Sequence, residues 1–263
     1  MIKIRRILFI RTDRLGDVLM NLPAVHLLRQ TYPKCWLTWM VDRSVAGILK
    51  GHPDIDEVLE IDGAELERSA AYRRGLLRQI RSAKFDLAIA SNPHKFFHWM
   101  LFSAGIRLRV GWRRKWGFLL NRSLPDNKAA QLQHEIDSNL RLAGLVSSKK
   151  WDGSWGPLAD EETVRRIDSR LAKEIPKDKM VVAIHPGTSN PAKRWDGEKF
   201  LEICQRLARG GRYAPVLIGG SEETAISREV VRRCEEPVTD WTGVLSLKEL
   251  AAFLGLSRVK RLK

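Results

Sequence analysis

The first thirty residues constrain the fold more than any other stretch. Ile7-Leu-Phe-Ile10 is a short apolar run, Arg11 to Gly16 is a polar loop, and from Asp17 the apolar residues Val18, Leu19, Leu22, Val25 and Leu28 recur at a helical period. A continuous apolar run that turns through a short loop into an amphipathic helix is the opening of a parallel α/β sheet buried on both faces. Open sheets of this kind bind ligands at the carboxyl ends of their strands, which sets Asp17 at a cleft. A second reading is that Asp17 only caps the helix, where free N–H groups and the helix dipole favour a carboxylate. The dinucleotide fingerprint G-x-G-x-x-G and the phosphate loop G-x-x-x-x-G-K-[ST] are both absent from this turn.

A similar turn opens the second half. Met180-Val-Val-Ala-Ile184 runs into His185-Pro-Gly-Thr-Ser-Asn-Pro-Ala-Lys193-Arg194-Trp195. Gly187 permits close backbone approach, Thr188 and Ser189 add hydroxyl donors, and Lys193 and Arg194 supply positive charge. Donors and cations after a strand suit a diphosphate. An ordinary polar strand-to-helix loop with surface cations would read the same way.

Between these turns the chain alternates. Strands are expected near 7–10, 36–41, 58–61, 86–90 and 107–111, and helices near 17–31, 66–82, 94–104 and 130–143. A stretch rich in Gly and Trp, 149–157, reads as a linker. Beyond it come a helix from Asp160 to about Lys173, a strand at 180–184, a helix at 197–209 closed by Gly210-Gly211, and a strand at 215–218. A helix opened by Ser221-Glu222-Glu223 follows, with last elements near 238–241 and 247–254. The expected organisation is two α/β domains, residues 1–156 and 157–263.

Charge is unevenly spread. Residues 1–150 hold 26 Lys and Arg against 14 Asp and Glu, whereas residues 151–263 hold 20 against 17. The excess is densest from Arg107 to Arg122, where Arg107, Arg109, Arg113, Arg114, Lys115 and Arg122 meet no acid and Trp112, Trp116 and Phe118 are interleaved. Phe96, Phe97, Trp99, Met100, Leu101 and Phe102 lie just before. Cations beside exposed aromatics suit an anionic membrane surface or a phosphorylated glycolipid, with Arg113, Arg114 and Lys115 as the contact. The competing reading makes the aromatics core and the cations a solvated rim. No helix-turn-helix, zinc or RNA-binding signature accompanies the patch, so nucleic acid is not an expected partner. Cys35, Cys204 and Cys234 form no C-x-x-C or metal pattern, as expected of a reducing compartment. The four-residue apolar run at the amino terminus is too short for a signal peptide, and no run approaches the roughly 18 residues of a membrane span.

Taken in order, several segments resemble glycosyltransferase family 9, the lipopolysaccharide heptosyltransferases and their relatives. They are Leu15-Gly16-Asp17, Leu22-Pro23-Ala24, His52-Pro53-Asp54-Ile55-Asp56-Glu57-Val58, His185-Pro186-Gly187, Lys193-Arg194-Trp195 and Gly219-Gly220-Ser221-Glu222. The resemblance runs from residue 7 to about residue 257. It implies the GT-B architecture: two Rossmann-like parallel-sheet domains facing across a cleft, the first binding the acceptor and the second the nucleotide sugar. It also implies inverting transfer of a sugar from a nucleotide donor, most readily heptose from ADP-heptose, to a phosphorylated glycolipid at the inner face of the cytoplasmic membrane. Asp17 would be the base, with Asp13 its nearest competitor. Thr188, Ser189 and Lys193 would hold the diphosphate, and Glu222 the ribose. No metal or other cofactor is implied, and Asp54-x-Asp56 reads as a loop before a strand.

The sequence departs from the family at its end. Relatives continue with an Asn/Asp-Asp-Thr-Gly segment that embraces the donor, and no Asp-Thr-Gly occurs here. The expectation is a truncated second domain with an uncovered sheet edge. That leaves a second function open: a non-catalytic remnant that binds nucleotide sugar or glycolipid without turnover.

Overall fold

The computed structural model describes residues 3–126, 134–188, 192 and 195–256. Two compact units divide the chain, Met1–Pro157 and Leu158–Lys263.

The first unit is built on a six-stranded sheet. Its strands are β1 (Arg6–Ile10), β2 (Trp36–Asp42), β3 (Glu57–Ile61), β4 (Leu87–Ala90), β5 (Leu108–Trp112) and β6 (Arg122–Leu124). They are all parallel and ordered β3-β2-β1-β4-β5-β6. Ile7 to Ile10 are buried without exception, as a strand covered on both faces requires. Leu8 and Ile10 join Met40, Ala88, Phe97 and Met100 in one core, while Phe9 meets Trp39 edge-on at 5.0 Å. Strand β6 was not expected; three residues carrying Arg122 and Ser123 have no apolar run to mark them.

The expected helix at 17–31 is two helices, α1 (Leu15–Leu19) and α2 (Leu22–Thr31). Pro23 causes the break, because it has no N–H for the Leu19 carbonyl and its ring clashes there, so it is tolerated only in the first turn of a new helix. The helix expected at 66–82 is likewise α3 (Gly63–Arg68) and α4 (Ala70–Ser82). Two caps explain it: Asp62 accepts from the amides of Ala64 and Glu65 at 2.9 and 3.1 Å, and Ser69 from that of Tyr72 at 3.1 Å. Helices α5 (Lys95–Ser103) and α6 (Glu135–Gly144) complete the unit, with α2 packed against α6. The expected start of α6 at 130 lies outside the described residues.

The second unit holds α7 (Glu161–Glu174), β7 (Met180–Ile184), α8 (Gly197–Arg209), β8 (Tyr213–Leu217), α9 (Thr224–Arg233), β9 (Thr239–Asp240) and α10 (Leu247–Leu256). Its parallel sheet runs β7-β8-β9. One face packs Ile167, Val216, Trp241 and Phe253 beneath α7 and α10; the other packs Leu201, Cys204, Leu217 and Val230 beneath α8 and α9. Among the described residues β7 pairs only with β8, and Val181, Val182 and Ala183 are half-buried where the matching residues of β1 are fully buried. Burial pushes the Cys204 thiol up to about 12, as for an inert core thiol, and all three cysteines are free.

Candidate active site

Strand order in the first sheet reverses between β1 and β4. Loops leaving two such strands diverge to opposite faces and open a crevice at their carboxyl ends. The loop after β1 carries Arg11, Asp13 and, one turn into α1, Asp17; the loop after β4 begins at Ser91.

Arg11 organises this crevice. It is 4% exposed, and its guanidinium reaches three carboxylates: Asp13 at 2.6 Å, Asp17 at 3.0 Å and Glu135, the first residue of α6, at 3.4 Å. Such a buried cation is tolerable only when paired and hydrogen-bonded. The Asp13 and Asp17 side chains remain 38% and 37% exposed, so both carboxylates open to solvent while their inner oxygens are held. Asp13 is pushed above the ordinary carboxylate value because burial outweighs the pull of Arg11.

A neutral network fixes the backbone around this cluster. Asn21 donates from its side chain to the Asp17 carbonyl at 2.8 Å, and Ser91 Oγ donates to Asn21 Oδ1 at 2.6 Å. Asn139 on α6 donates to the Met20 carbonyl at 3.1 Å, and Trp112 Nε1 to the Ser91 carbonyl at 2.8 Å. The one-turn helix holding Asp17 is therefore clamped from β4, β5 and α6. Arg11, Glu135, Asn21, Ser91 and Asn139 had not been singled out from sequence. Their partners lie up to 124 residues away, and no local pattern marks a buried polar hub.

The other motifs of the first unit serve the fold. Asp54 is buried and pairs with His26 Nδ1 at 2.8 Å. Asp56 takes Arg29 at 2.5 Å and the Leu37 amide at 2.6 Å. Both carboxylates of the Asp54-x-Asp56 pair are thus engaged in tying the loop before β3 to α2 and β2.

Arg113, Arg114 and Lys115 follow β5 and are exposed. Arg114 pairs with Asp126 at 3.1 Å, and Arg113 donates to Ser123 Oγ at 3.3 Å. The apolar side chains divide: Phe97, Met100, Leu101 and Trp112 are core, whereas Trp99, Phe102, Trp116 and Phe118 are exposed. The core reading therefore holds for the first four residues, while the other four lie at the surface.

In the second unit, the loops after β7, β8 and β9 converge. Gly187 sits so close to Glu223 that a Cβ there would overlap the glutamate side chain. Glu223 accepts from the Gly220 amide at 2.8 Å, Gly219 lies against it with φ 156°, and the Gly243 amide donates to the Gly219 carbonyl at 2.9 Å. Three glycine-bearing turns thus gather at the strand carboxyl ends, where the absence of a Cβ lets them approach one another. Thr188 is half-buried in the first of these loops, and Glu222 is exposed on the turn before α9. Glu223, next to Glu222, is the residue that packs against Gly187. Ser189 and Lys193 lie outside the described residues.

A pair of parallel-sheet units, each with its loops gathered at the strand carboxyl ends, defines an α/β protein of the GT-B type. The fold is shared with a solved glycosyltransferase family 9 protein from Veillonella parvula (TM-score 0.82, 21% identity, 95% of this chain and 73% of that one). It is also shared with the Escherichia coli heptosyltransferase WaaC solved with ADP (TM-score 0.72, 19% identity, 95% and 78%). In sequence, the chain is 24% identical over 255 residues to lipopolysaccharide heptosyltransferase 3 of Escherichia coli, covering 91% of this chain and 72% of that protein. Residues 73–259 match the family model of glycosyltransferase family 9 (heptosyltransferase). The chain belongs to that family and is a glycosyltransferase. Among the described residues no helix is long and apolar enough to cross a membrane.

Proposed function

We propose that the chain transfers heptose from ADP-heptose to a lipopolysaccharide core acceptor with inversion, and that Asp17 is the base. The observation that carries this reading is the position of Asp17. It sits at the point where strand order reverses, half-open to solvent, with one oxygen held 3.0 Å from a buried arginine. A base must be oriented before it is useful, and the Arg11 pair together with the Asn21 clamp supplies that orientation. The acceptor oxygen attacks the anomeric carbon as the bond to the diphosphate breaks, and its proton passes to Asp17. ADP departs with the bonding pair. Lys193 stabilises the charge that grows on it, Thr188 and Ser189 donate to its phosphate oxygens, and Glu222 accepts from its ribose. Cations and backbone amides meet the diphosphate without a metal. Relatives named as lipopolysaccharide heptosyltransferases, and a fold neighbour solved with ADP, support the choice of donor and acceptor. Such an acceptor places the protein in the cytoplasm at the inner membrane face, met by Arg113, Arg114 and Lys115.

The test is a reaction of the whole chain with ADP-heptose and a core acceptor, following ADP release and the anomeric configuration of the product. One ADP per sugar transferred, with the configuration opposite to the donor's, supports the reading. Retention of configuration, or ADP release that does not need acceptor, overturns it. Binding of ADP-heptose with no transfer at all would favour the non-catalytic alternative.

A further inference from the structure

The first unit contains a cavity of about 560 Å³ that the reaction above leaves unused. Its walls come from the same edge of the sheet as Asp17. Leu66 lies on α3 after β3, Phe96 and Trp99 on α5 after β4, and Trp116 on the loop after β5. Its size falls in the ~300–1,000 Å³ range of small-ligand sites.

The lining is mostly apolar, and Glu67, Arg73, His94 and Lys95 are its polar members. Phe96 and Trp99 stack obliquely at 5.8 Å, and Trp99 and Trp116 are 39% and 45% exposed. Arg73 also lines the cavity, but it is committed to the Leu66 and Glu67 carbonyls at 2.8 and 2.9 Å, closing the end of α3. Lys95 is exposed at the cavity, and Lys115 precedes Trp116 directly. A hydrocarbon chain can lie along the aromatic faces and needs no hydrogen-bond partner there.

The loop that brings Trp116 here is held in an uncommon conformation. Lys115 and Trp116 both have positive φ, 47° and 68°, a region that side chains other than glycine rarely adopt in succession. Fully buried His98 on α5 holds it there, its Nδ1–H donating to the Lys115 carbonyl at 2.9 Å. A Cβ on Gly117 beside it would crowd the Trp112 carbonyl oxygen at 3.0 Å. Strain of this kind persists where surrounding structure over-determines it, and it collects at ligand clamps.

We propose that this cavity takes an acyl chain of the acceptor glycolipid, with Lys95 and the Arg113–Lys115 cations facing its phosphorylated head. This rests on the glycolipid-acceptor reading and adds a chain-binding subsite to it. The finite volume limits the length of chain that can be held, and Lys95 and Lys115 beside the aromatics favour an anionic head.

The experiment uses the whole chain and monomeric alkyl phosphates of increasing length, titrated by tryptophan fluorescence and checked by calorimetry. Burying a methylene is worth about 0.8 kcal/mol, so affinity should rise about fourfold per CH₂ and then level off once the cavity is full. Trp99→Ala with Trp116→Ala should flatten that slope. Phe118→Ala, which removes a 79% exposed aromatic outside the cavity, should leave it unchanged. Affinity independent of chain length would mean that only the head group is recognised, and equal loss with Phe118→Ala would mean non-specific insertion of surface aromatics; either overturns the proposal. A parallel turnover assay compares acylated with deacylated acceptor. A KM lower for the acylated form supports the subsite. Equal KM values would sink the subsite while leaving the transferase reading intact, and turnover of neither acceptor would strike at the transferase reading instead.

Discussion

Arg11→Met removes the cation from the crevice while keeping its aliphatic bulk. Three carboxylates, at 2.6, 3.0 and 3.4 Å from the guanidinium, then face one another with nothing between them. Breaking a fully buried pair costs about 3–5 kcal/mol, and an exposed pair contributes about 0–1. Arg11 is 4% exposed, but Asp13 and Asp17 keep over a third of their surface in water, which places the loss near ~2 kcal/mol. The loss should depend on pH. Asp13 is already above the ordinary carboxylate value, and the two influences lowering it most come from Arg11, so the variant raises it further. A carboxyl raised in the folded state binds its proton more tightly than in the unfolded chain. Its stabilising contribution is therefore complete below the unfolded value and is lost as pH rises through the folded one. The deficit of Arg11→Met relative to wild type should be largest at neutral pH and shrink toward roughly pH 4, near the ordinary Asp value. Amide exchange in β1 and β4 reports the first unit alone, and ~2 kcal/mol corresponds to about 30-fold faster exchange. A deficit under ~0.5 kcal/mol, the range of ordinary surface substitutions, or one equal at both pH values, would refute the idea that Arg11 holds these carboxylates together.

Other outcomes follow from the same reasoning. Lys193→Ala should weaken ADP binding or slow transfer by about tenfold or more, the worth of a charge-assisted hydrogen bond at ~1.5–3 kcal/mol; unchanged affinity and rate would make it a surface cation. Replacing Arg113, Arg114 and Lys115 with Ser should reduce binding to anionic vesicles at low salt and leave ADP binding intact, because charges on the surface are screened beyond about 8 Å at physiological ionic strength. Equal vesicle binding by the variant would remove these residues from the acceptor surface. Gly187→Ala forces Glu223 off the Gly220 amide, so it should destabilise the second unit by ~1–3 kcal/mol and weaken ADP binding, measured by urea unfolding and calorimetry.

Sequence made the scaffold legible where one residue type repeats. Ile7–Ile10, Leu87–Ala90 and Met180–Ile184 are apolar runs with a turn after them, and each is a parallel strand. Asp17 was visible because it follows such a run by a fixed short distance. The breaks at Pro23 and Ser69 were written in the sequence too, yet continuous apolar periodicity masked them. What the pattern could not show was partnership across distance. Arg11 looks like any loop cation until the strand order places Ser91 and Glu135 around it, 80 and 124 residues away. Glu222 and Glu223 are indistinguishable in sequence, and only the approach of the Gly187 loop separates them. The aromatic run 96–102 carried two readings because a single helix places Phe97 inward and Trp99 outward.

In the proposed mechanism Asp17 takes the acceptor's proton. Asp17→Asn preserves size and the hydrogen bond to its surroundings but accepts no proton. With ADP-heptose and core acceptor, kcat should fall about 10²-fold or more, the usual worth of a general base, while ADP-heptose affinity stays within about twofold. Turnover by Asp17→Asn near the wild-type rate would contradict it.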